Sequence, residues 1–130
     1  MRLLLDTHIL LWALADPRRL PESARDAIET GDNEILFSAA SIWEVAIKSQ
    51  LLRADFGVDA ATIIHAARET RFTELAVSAE HAAAVAVLPH HHKDPLDRLL
   101  IAQALTEPVR LMTADKALAA YSNDLVWLLA

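Results

Sequence analysis

Short apolar runs alternate with longer stretches of helical spacing along this chain. Five runs have the length of strands and end at turn or capping residues: residues 2–5, 34–37, 74–77, 110–112 and 125–128. Seven other stretches show helical spacing or strong helix formers: residues 7–15, 22–30, 39–52, 60–71, 79–87, 95–106 and 116–121. This alternation predicts an α/β fold, with a mostly parallel sheet of about five strands sandwiched between helices. We expect loops at residues 17–21, 53–59 and 90–93.

The predicted helix at residues 39–52 is apolar on two sides. Ile42 and Val45 share one face, and Trp43 and Ile47 extend the apolar surface around the helix. Burial on two sides would follow if this helix were wedged into the core. An oligomer or partner face explains the same pattern, and the two interpretations are compatible.

Length and composition narrow the class of protein. A chain of 130 residues suits one domain, so we expect residues 1–130 to form a single unit. With 54% hydrophobic and 23% charged residues, the chain is globular. It has no cysteine, which excludes disulfides and thiolate sites, and its two glycines are too few for a phosphate-binding glycine loop. Any bound metal must therefore use Asp, Glu or His ligands.

Charge and hydropathy bear on location and partners. The longest apolar runs have seven residues, well short of the roughly 18 that span a bilayer, so we expect no membrane segment. Asp6 interrupts the apolar start where a secretory signal would continue, which predicts a cytoplasmic protein. The net charge of −6 does not favour nucleic-acid binding by bulk electrostatics. An acidic site acts on phosphates only when metal ions reverse its local charge.

Acidic residues recur where predicted strands end or the following helices begin. In an open parallel sheet, ligands bind beyond the carboxyl ends of the strands. The acids expected at this edge are Asp6, Glu44, Asp94, Asp97 and Asp115. Several carboxylates in one crevice repel each other unless a cation joins them, and Mg²⁺ or Mn²⁺ prefers such oxygen ligands.

Each acid also has a simpler structural explanation, because helix starts favour Asp and Glu. Asp6 could cap the first helix, and Asp94 has the pattern of an N-cap followed by proline. Ser41 and Glu44 match a capping box, although Glu44 lies inside a helix predicted to begin at residue 39. Asp115 could be a first-turn acid after a cap.

Four ordered segments resemble the PIN-domain nucleases, and more narrowly the VapC toxins of VapBC toxin–antitoxin pairs. The segments are LLLDTH (3–8), SAASIWEVAIK (38–48), DPLDRLLIAQA (94–104) and LMTAD (111–115). The resemblance runs from residue 2 to residue 127. It implies a parallel five-stranded sheet and a Mg²⁺- or Mn²⁺-dependent endoribonuclease site at the strand ends.

The resemblance also implies roles for individual residues. Asp6, Glu44 and Asp97 match the core metal-site acids, and Asp115 matches a fourth, more variable acid. Thr113 matches a hydroxyl that accompanies this fourth acid, whereas the role of Asp94 is left open. The implied partners are RNA, a small VapB-like antitoxin and a second copy of the chain in a homodimer.

Basic residues near the acidic segments are weaker candidates. Consecutive residues His90, His91 and His92 lack the spacing of helical zinc ligands, so a zinc site is disfavoured. His92 could instead border the cleft and contact RNA phosphate, or lie in a solvated loop. Arg98, beside Asp97, is the best candidate for local positive charge.

Two other functions compete with a nuclease. A receiver-like signalling domain shares the sheet and an acidic magnesium pocket, but it needs an Asp after the third strand, where this chain has Ser78, Ala79 and Glu80. A catalytically silent PIN-like domain could serve only to bind protein, because spacing in sequence does not establish geometry in space.

Overall fold

The five apolar runs form one parallel sheet in a computed structural model that describes residues 1–51, 59–89 and 93–129. The strand order is β3-β2-β1-β4-β5, and all four neighbouring pairs are parallel. The strands are β1 (Arg2–Leu5), β2 (Glu34–Ser38), β3 (Thr73–Leu75), β4 (Arg110–Thr113) and β5 (Val126–Leu128). The predicted α/β fold is confirmed, with strand ends that shift by one or two residues.

Six α-helices lie in the described ranges, at positions that the apolar spacing predicts. They are α1 (Thr7–Ala15), α2 (Glu22–Glu29), α3 (Ala39–Gln50), α4 (Ala60–Glu69), α5 (Ala79–Ala84) and α6 (Pro95–Thr106). None of the helices in these ranges is both long and apolar enough to cross a membrane. Of the predicted loops at 53–59 and 90–93, residues 53–58 and 90–92 fall outside the described residues.

Short 3₁₀ helices replace three predicted features. The expected loop at 17–21 contains a 3₁₀ turn at Pro17–Arg19, because the fixed φ of proline suits a first helical position. The predicted helix at 79–87 is α5 followed by a 3₁₀ turn at Val85–Val87, and the helix predicted at 116–121 is a 3₁₀ helix at Lys116–Ala120. Periodicity over so few residues does not distinguish a 3₁₀ helix from an α-helix.

The core has two layers, one on each face of the sheet. Successive strand side chains point to opposite faces, so Leu3 and Leu5 of β1 pack into one layer and Leu4 into the other. Helices α1 to α4 cover the Leu3 face, and α5 and α6 cover the Leu4 face. All three leucines are fully buried because β1 is a central strand covered on both faces.

Helix α3 is buried on one side only. Val45 is fully buried, whereas Trp43 is 59% exposed and Leu51 is 62% exposed. The expected burial of this helix on two sides is therefore wrong for a single chain. Ile47 is half-buried while Trp43 and Leu51 face solvent, and the interpretation as a partner face stays a prediction.

Helix α3 begins earlier than a Ser41 cap requires. Ser38 is the N-cap, and its hydroxyl accepts a hydrogen bond from the Ala40 backbone N–H at 3.0 Å. Ser41 lies inside the first turns, so the capping-box interpretation of Ser41 and Glu44 is wrong. Those two side chains are thereby available for contacts with other elements.

A buried amide connects α6 to the ends of two strands. The Ser38 hydroxyl donates to Oε1 of Gln103 at 2.6 Å, and Nε2 of Gln103 donates to the Ala76 carbonyl at 3.3 Å. Ser38 ends β2, and Ala76 follows β3 directly. Gln103 is completely buried and thus fixes α6 against this edge of the sheet.

Replacing Gln103 with methionine tests the contribution of this amide to stability. Gln103→Met keeps the size of the side chain but leaves the Ser38 hydroxyl and the Ala76 carbonyl without these partners. We expect the free energy of unfolding in urea to fall by about 1–3 kcal/mol. Leu105→Met, at an exposed position of the same helix, is the control and should change it by less than about 0.5 kcal/mol. Equal effects of the two substitutions would contradict this role.

Candidate metal centre

Asp6 lies where the central strand β1 meets α1. Its side chain is the N-cap of α1, with Oδ1 accepting from the Ile9 backbone N–H at 2.9 Å. Its other oxygen, Oδ2, accepts a hydrogen bond from the Thr113 hydroxyl. The residue is only 7% exposed. The capping explanation is therefore confirmed. Asp6 also lies at the carboxyl end of β1, the edge of a parallel sheet at which ligands usually bind.

The environment of Asp6 disfavours a negative charge. Burial, with a smaller contribution from the nearby charge of Asp97, raises the pKa of Asp6 to about 6. Hydrogen bonds from Thr113 and Ile9, together with the positive charge of His8, lower the pKa but do not offset burial. Asp6 lies between β1 and α1, and Asp97 lies on α6. Their side chains are near enough for the two negative charges to repel each other. A bound cation would relieve both unfavourable effects.

Thr113 joins Asp6 to Asp115. It ends β4, which pairs with β1, and it is completely buried. Its hydroxyl donates to Asp6 and accepts from the Asp115 backbone N–H at 3.0 Å. Asp115 is itself the N-cap of the 3₁₀ helix, because its Oδ1 accepts from the Ala117 N–H at 2.9 Å. The expected position of Asp115 is in the first turn, with the cap before it. Asp115 is instead the cap itself, and the 3₁₀ helix begins at Lys116.

Glu44 lies in the second turn of α3 and is 9% exposed. Its Oε2 lies 2.9 Å from Nζ of Lys48, one turn further along the same helix. The spacing of Glu44 and Lys48 is the i,i+4 pattern of a helical ion pair, so the sequence contained the signal for this contact. Lys48 therefore places a positive charge directly beside the Glu44 carboxylate.

Helix α6 presents two acids in different ways. Asp94 is exposed and caps the helix, with Oδ1 accepting from the Leu96 N–H at 2.9 Å. Asp97 lies in the first turn and is half-buried. Arg98 donates to the backbone carbonyls of Val85 at 3.0 Å and Pro89 at 3.1 Å. Arg98 thus links α6 to the carbonyls of Val85 and Pro89, and its expected role as local positive charge near the acids stays a prediction.

The candidate acidic residues offer the type of ligand atom, carboxylate oxygen, that hard divalent cations prefer. In the described ranges, no three His, Asp or Glu side chains are grouped closely enough to hold one ion as they stand. The candidate ligands nevertheless supply only carboxylate oxygens, which Mg²⁺ and Mn²⁺ prefer, and Asp6 is both desolvated and close to another negative charge. Asp6 and Asp97, whose charges interact, are therefore chemically suited to such an ion. Glu44 and Asp115 lie on other elements, α3 and the start of the 3₁₀ helix.

The histidines have separate positions. His81 is buried, with Nε2 2.6 Å from Oε2 of Glu107 and Nδ1 accepting from the Ser78 N–H, so it is a structural residue. His65 is exposed on α4. Residues His90, His91 and His92 fall outside the described residues, and so do the expectations about them.

Three buried polar side chains lie inside the motif segments, yet the sequence predicts no role for them in the site. They are Thr7 of α1, Ser41 of α3 and Gln103 of α6. Their sequence signal is a polar side chain at a position where the helical period predicts an apolar one. That signal marks such residues as buried and polar, but it does not identify their hydrogen-bond partners.

This sheet order and its acidic edge define an α/β protein with a candidate divalent-cation centre. A family model described as PIN domain matches residues 3–123, and the chain belongs to this family. It is also similar to Ribonuclease VapC22 of Mycobacterium tuberculosis (strain ATCC 25618 / H37Rv). The two are 32% identical over 120 residues, which cover 92% of each chain.

Two solved structures have the same fold. A chain of VapBC2 from Rickettsia felis, bound to a DNA fragment from the promoter, superposes with a TM-score of 0.73 at 17% identity over the full length of both chains. A chain of FitAcB from Neisseria gonorrhoeae gives 0.59 at 18% identity, covering 98% of this chain and 96% of the other. The family leaves the receiver-like alternative without support.

The raised pKa of Asp6 predicts how stability depends on pH in metal-free buffer. The protonated carboxyl favours the folded state, so its contribution is complete below the unfolded value of 3.8 and is lost as the pH rises through about 6. Asp6→Asn lacks this ionisation. Chemical denaturation in EDTA should show that the free energy of unfolding of the variant rises by about 2.5 kcal/mol relative to wild type between pH 4 and pH 8.

Asp59→Asn is the matched control, because Asp59 also caps a helix through its side chain but is fully exposed. Its stability relative to wild type should not rise with pH. A constant difference between Asp6→Asn and wild type from pH 4 to pH 8 would show that burial does not destabilise the Asp6 carboxylate.

Proposed function

We propose that this chain is a Mg²⁺- or Mn²⁺-dependent endoribonuclease that acts in the cytoplasm as the toxin of a type II toxin–antitoxin pair. The main support is the buried Asp6 carboxylate, which ends the central strand, interacts with the charge of Asp97 and is linked through Thr113 to Asp115. The similarity to a ribonuclease over 92% of the chain supports the choice of RNA as substrate.

Asp6 and Asp97 are the proposed principal ligands of the cation, and Glu44 and Asp115 complete its surroundings. A bound divalent ion neutralises phosphate charge and makes a water molecule more acidic. Asp6 must be ionised to serve as a ligand, which its pKa of about 6 allows at neutral pH. Thr113 donates to one carboxylate oxygen and thereby fixes its direction.

A basic residue beside the proposed ligands lowers the repulsion of a polyanionic substrate. Lys48 balances Glu44, so the negative charge that RNA meets on α3 is reduced. The proposed reaction is hydrolysis: a water molecule attacks phosphorus in line, the bond from phosphorus to the 3′ oxygen breaks, and the products carry 5′-phosphate and 3′-hydroxyl ends. No covalent bond between the protein and RNA is needed.

The proposed protein partners are a VapB-like antitoxin and a second copy of the chain. The similar solved structures are those of VapBC2 and FitAcB, which supports an antitoxin. On this chain, Trp43 and Leu51 leave an apolar side of α3 exposed to solvent, and such a surface favours a protein contact. An antitoxin that also silences the acidic edge would need basic residues there.

RNA cleavage by the purified chain tests the activity directly. With total cellular RNA and Mg²⁺ or Mn²⁺, we expect partner-free wild-type protein to cleave and EDTA to stop cleavage. Asp6→Asn and Asp97→Asn should each lower the rate at least about a hundredfold, because each removes a charged ligand while keeping the size of the side chain. Sequencing the cut ends would identify the target and the end chemistry.

Asp59→Asn is again the control, since it alters a capping carboxylate of α4 outside the acidic edge and should cleave like wild type. Cleavage by Asp97→Asn at the wild-type rate would remove Asp97 from the site. If folded, partner-free wild-type protein cut none of the cellular RNAs with either metal, the catalytically silent protein-binding alternative would replace the nuclease.

A further inference from the structure

Two hydroxyl groups meet in the interior between α1 and α3. The Thr7 hydroxyl donates to the Ser41 hydroxyl oxygen at 3.0 Å. Thr7 is 4% exposed and Ser41 is 1% exposed, so the hydrogen bond lies out of contact with bulk water. A buried hydroxyl that loses its partner is destabilising, which gives this pair one strongly preferred arrangement.

Neither hydroxyl is required to begin its own helix. Asp6 already caps α1 through the Ile9 N–H, and Ser38 already caps α3 through the Ala40 N–H. Thr7 and Ser41 therefore have side chains that point across to the neighbouring helix. The usual reason for a polar residue at a helix start does not explain them.

The pair lies directly beside two of the proposed ligands. Thr7 follows Asp6 in the chain, and Ser41 precedes Glu44 by three residues, which places both on the same side of α3. A shift of α3 along or around its axis would move Ser41 and Glu44 together. The hydrogen bond from Thr7 opposes such a shift.

The start of α3 is held from the other face of the sheet as well. Ser38 donates to Gln103 of α6, the helix that carries Asp97. With Ser38 fixed in this way, the remaining freedom of α3 is a tilt or rotation about its first turn. The contact between Thr7 and Ser41, one turn further along, restricts that freedom.

We propose that Thr7 and Ser41 are positioning residues, whose buried hydrogen bond sets the placement of Glu44 relative to Asp6 for binding a divalent cation. This inference rests on the proposed metal-dependent function. It assigns to the two hydroxyls a role in the geometry of the site, in addition to their contribution to stability.

The test measures Mn²⁺ affinity without RNA, by EPR of the free ion, for Thr7→Val, Ser41→Ala and the double variant. We expect each single substitution to weaken Mn²⁺ binding about three- to tenfold. The double variant should be no weaker than either single one, because each substitution removes the same hydrogen bond. Thr7→Ser keeps the hydroxyl and should bind within about twofold of wild type.

Cleavage kinetics supply a second measurement. In Thr7→Val, kcat should fall while KM for RNA stays within about twofold, since the hydroxyl pair is buried away from substrate. Asn33→Ala is the control for lost stability. It removes a hydrogen bond from Nδ2 of Asn33 to the Ala27 carbonyl at the opposite end of β2, and should leave Mn²⁺ affinity and kcat unchanged.

The positioning role is overturned if folded Thr7→Val and Ser41→Ala bind Mn²⁺ like wild type, if their effects add in the double variant, or if Asn33→Ala has the same effect. Wild-type protein that binds Mn²⁺ but cleaves no RNA would count against the ribonuclease, while the affinity ratios would still decide the role of the hydroxyl pair. Wild-type protein that binds no Mn²⁺ would contradict both proposals.

Discussion

A carboxylate buried at the end of the central strand is the constraint on which the candidate site depends. The Asp6 side chain cannot turn outward to be hydrated, because β1 is flanked by β2 and β4 and covered by helices on both faces. Its oxygens are therefore held by the Ile9 N–H and the Thr113 hydroxyl. Even with these partners, burial keeps its pKa well above the ordinary value.

The sheet topology explains why distant segments contribute to one edge. Parallel strands have their carboxyl ends on the same side, so the residues after β1, β2 and β4 meet there. Asp6, Glu44 and Asp115 follow these three neighbouring strands, and Asp97 enters from the first turn of α6. The fold thus brings the charges of Asp6 and Asp97 into interaction in a chain with a net charge of −6, and this repulsion favours a cation.

Much of this arrangement could be predicted from the sequence. Apolar runs and helical spacing identify the five strands and six α-helices of the described residues, and Asp6 directly follows β1 as expected. Spacing reveals the period of an element but not the partner of each polar atom. Ser41 matches a capping box by spacing, yet Ser38 caps α3 because β2 ends at that residue and Ala39 already has helical geometry.

The partners of the basic residues are likewise predictable only where the contact is local in sequence. Arg98 stands beside Asp97 in sequence, but its guanidinium donates to the carbonyls of Val85 and Pro89, which lie 13 and 9 positions earlier in the chain. The ion pair of Glu44 with Lys48 is local and could be predicted from the i,i+4 spacing. The hydrogen bond of Thr7 with Ser41 joins residues 34 positions apart and could not.

A divalent cation bound through the buried Asp6 carboxyl would replace its proton. Isothermal titration calorimetry with Mn²⁺, repeated from pH 5 to pH 8 in buffers of different ionisation enthalpy, measures both affinity and proton release. We predict that affinity rises steeply with pH up to about 6, with proton release below that pH, and then levels off. An affinity that is independent of pH across this range, with no proton released, would contradict the claim.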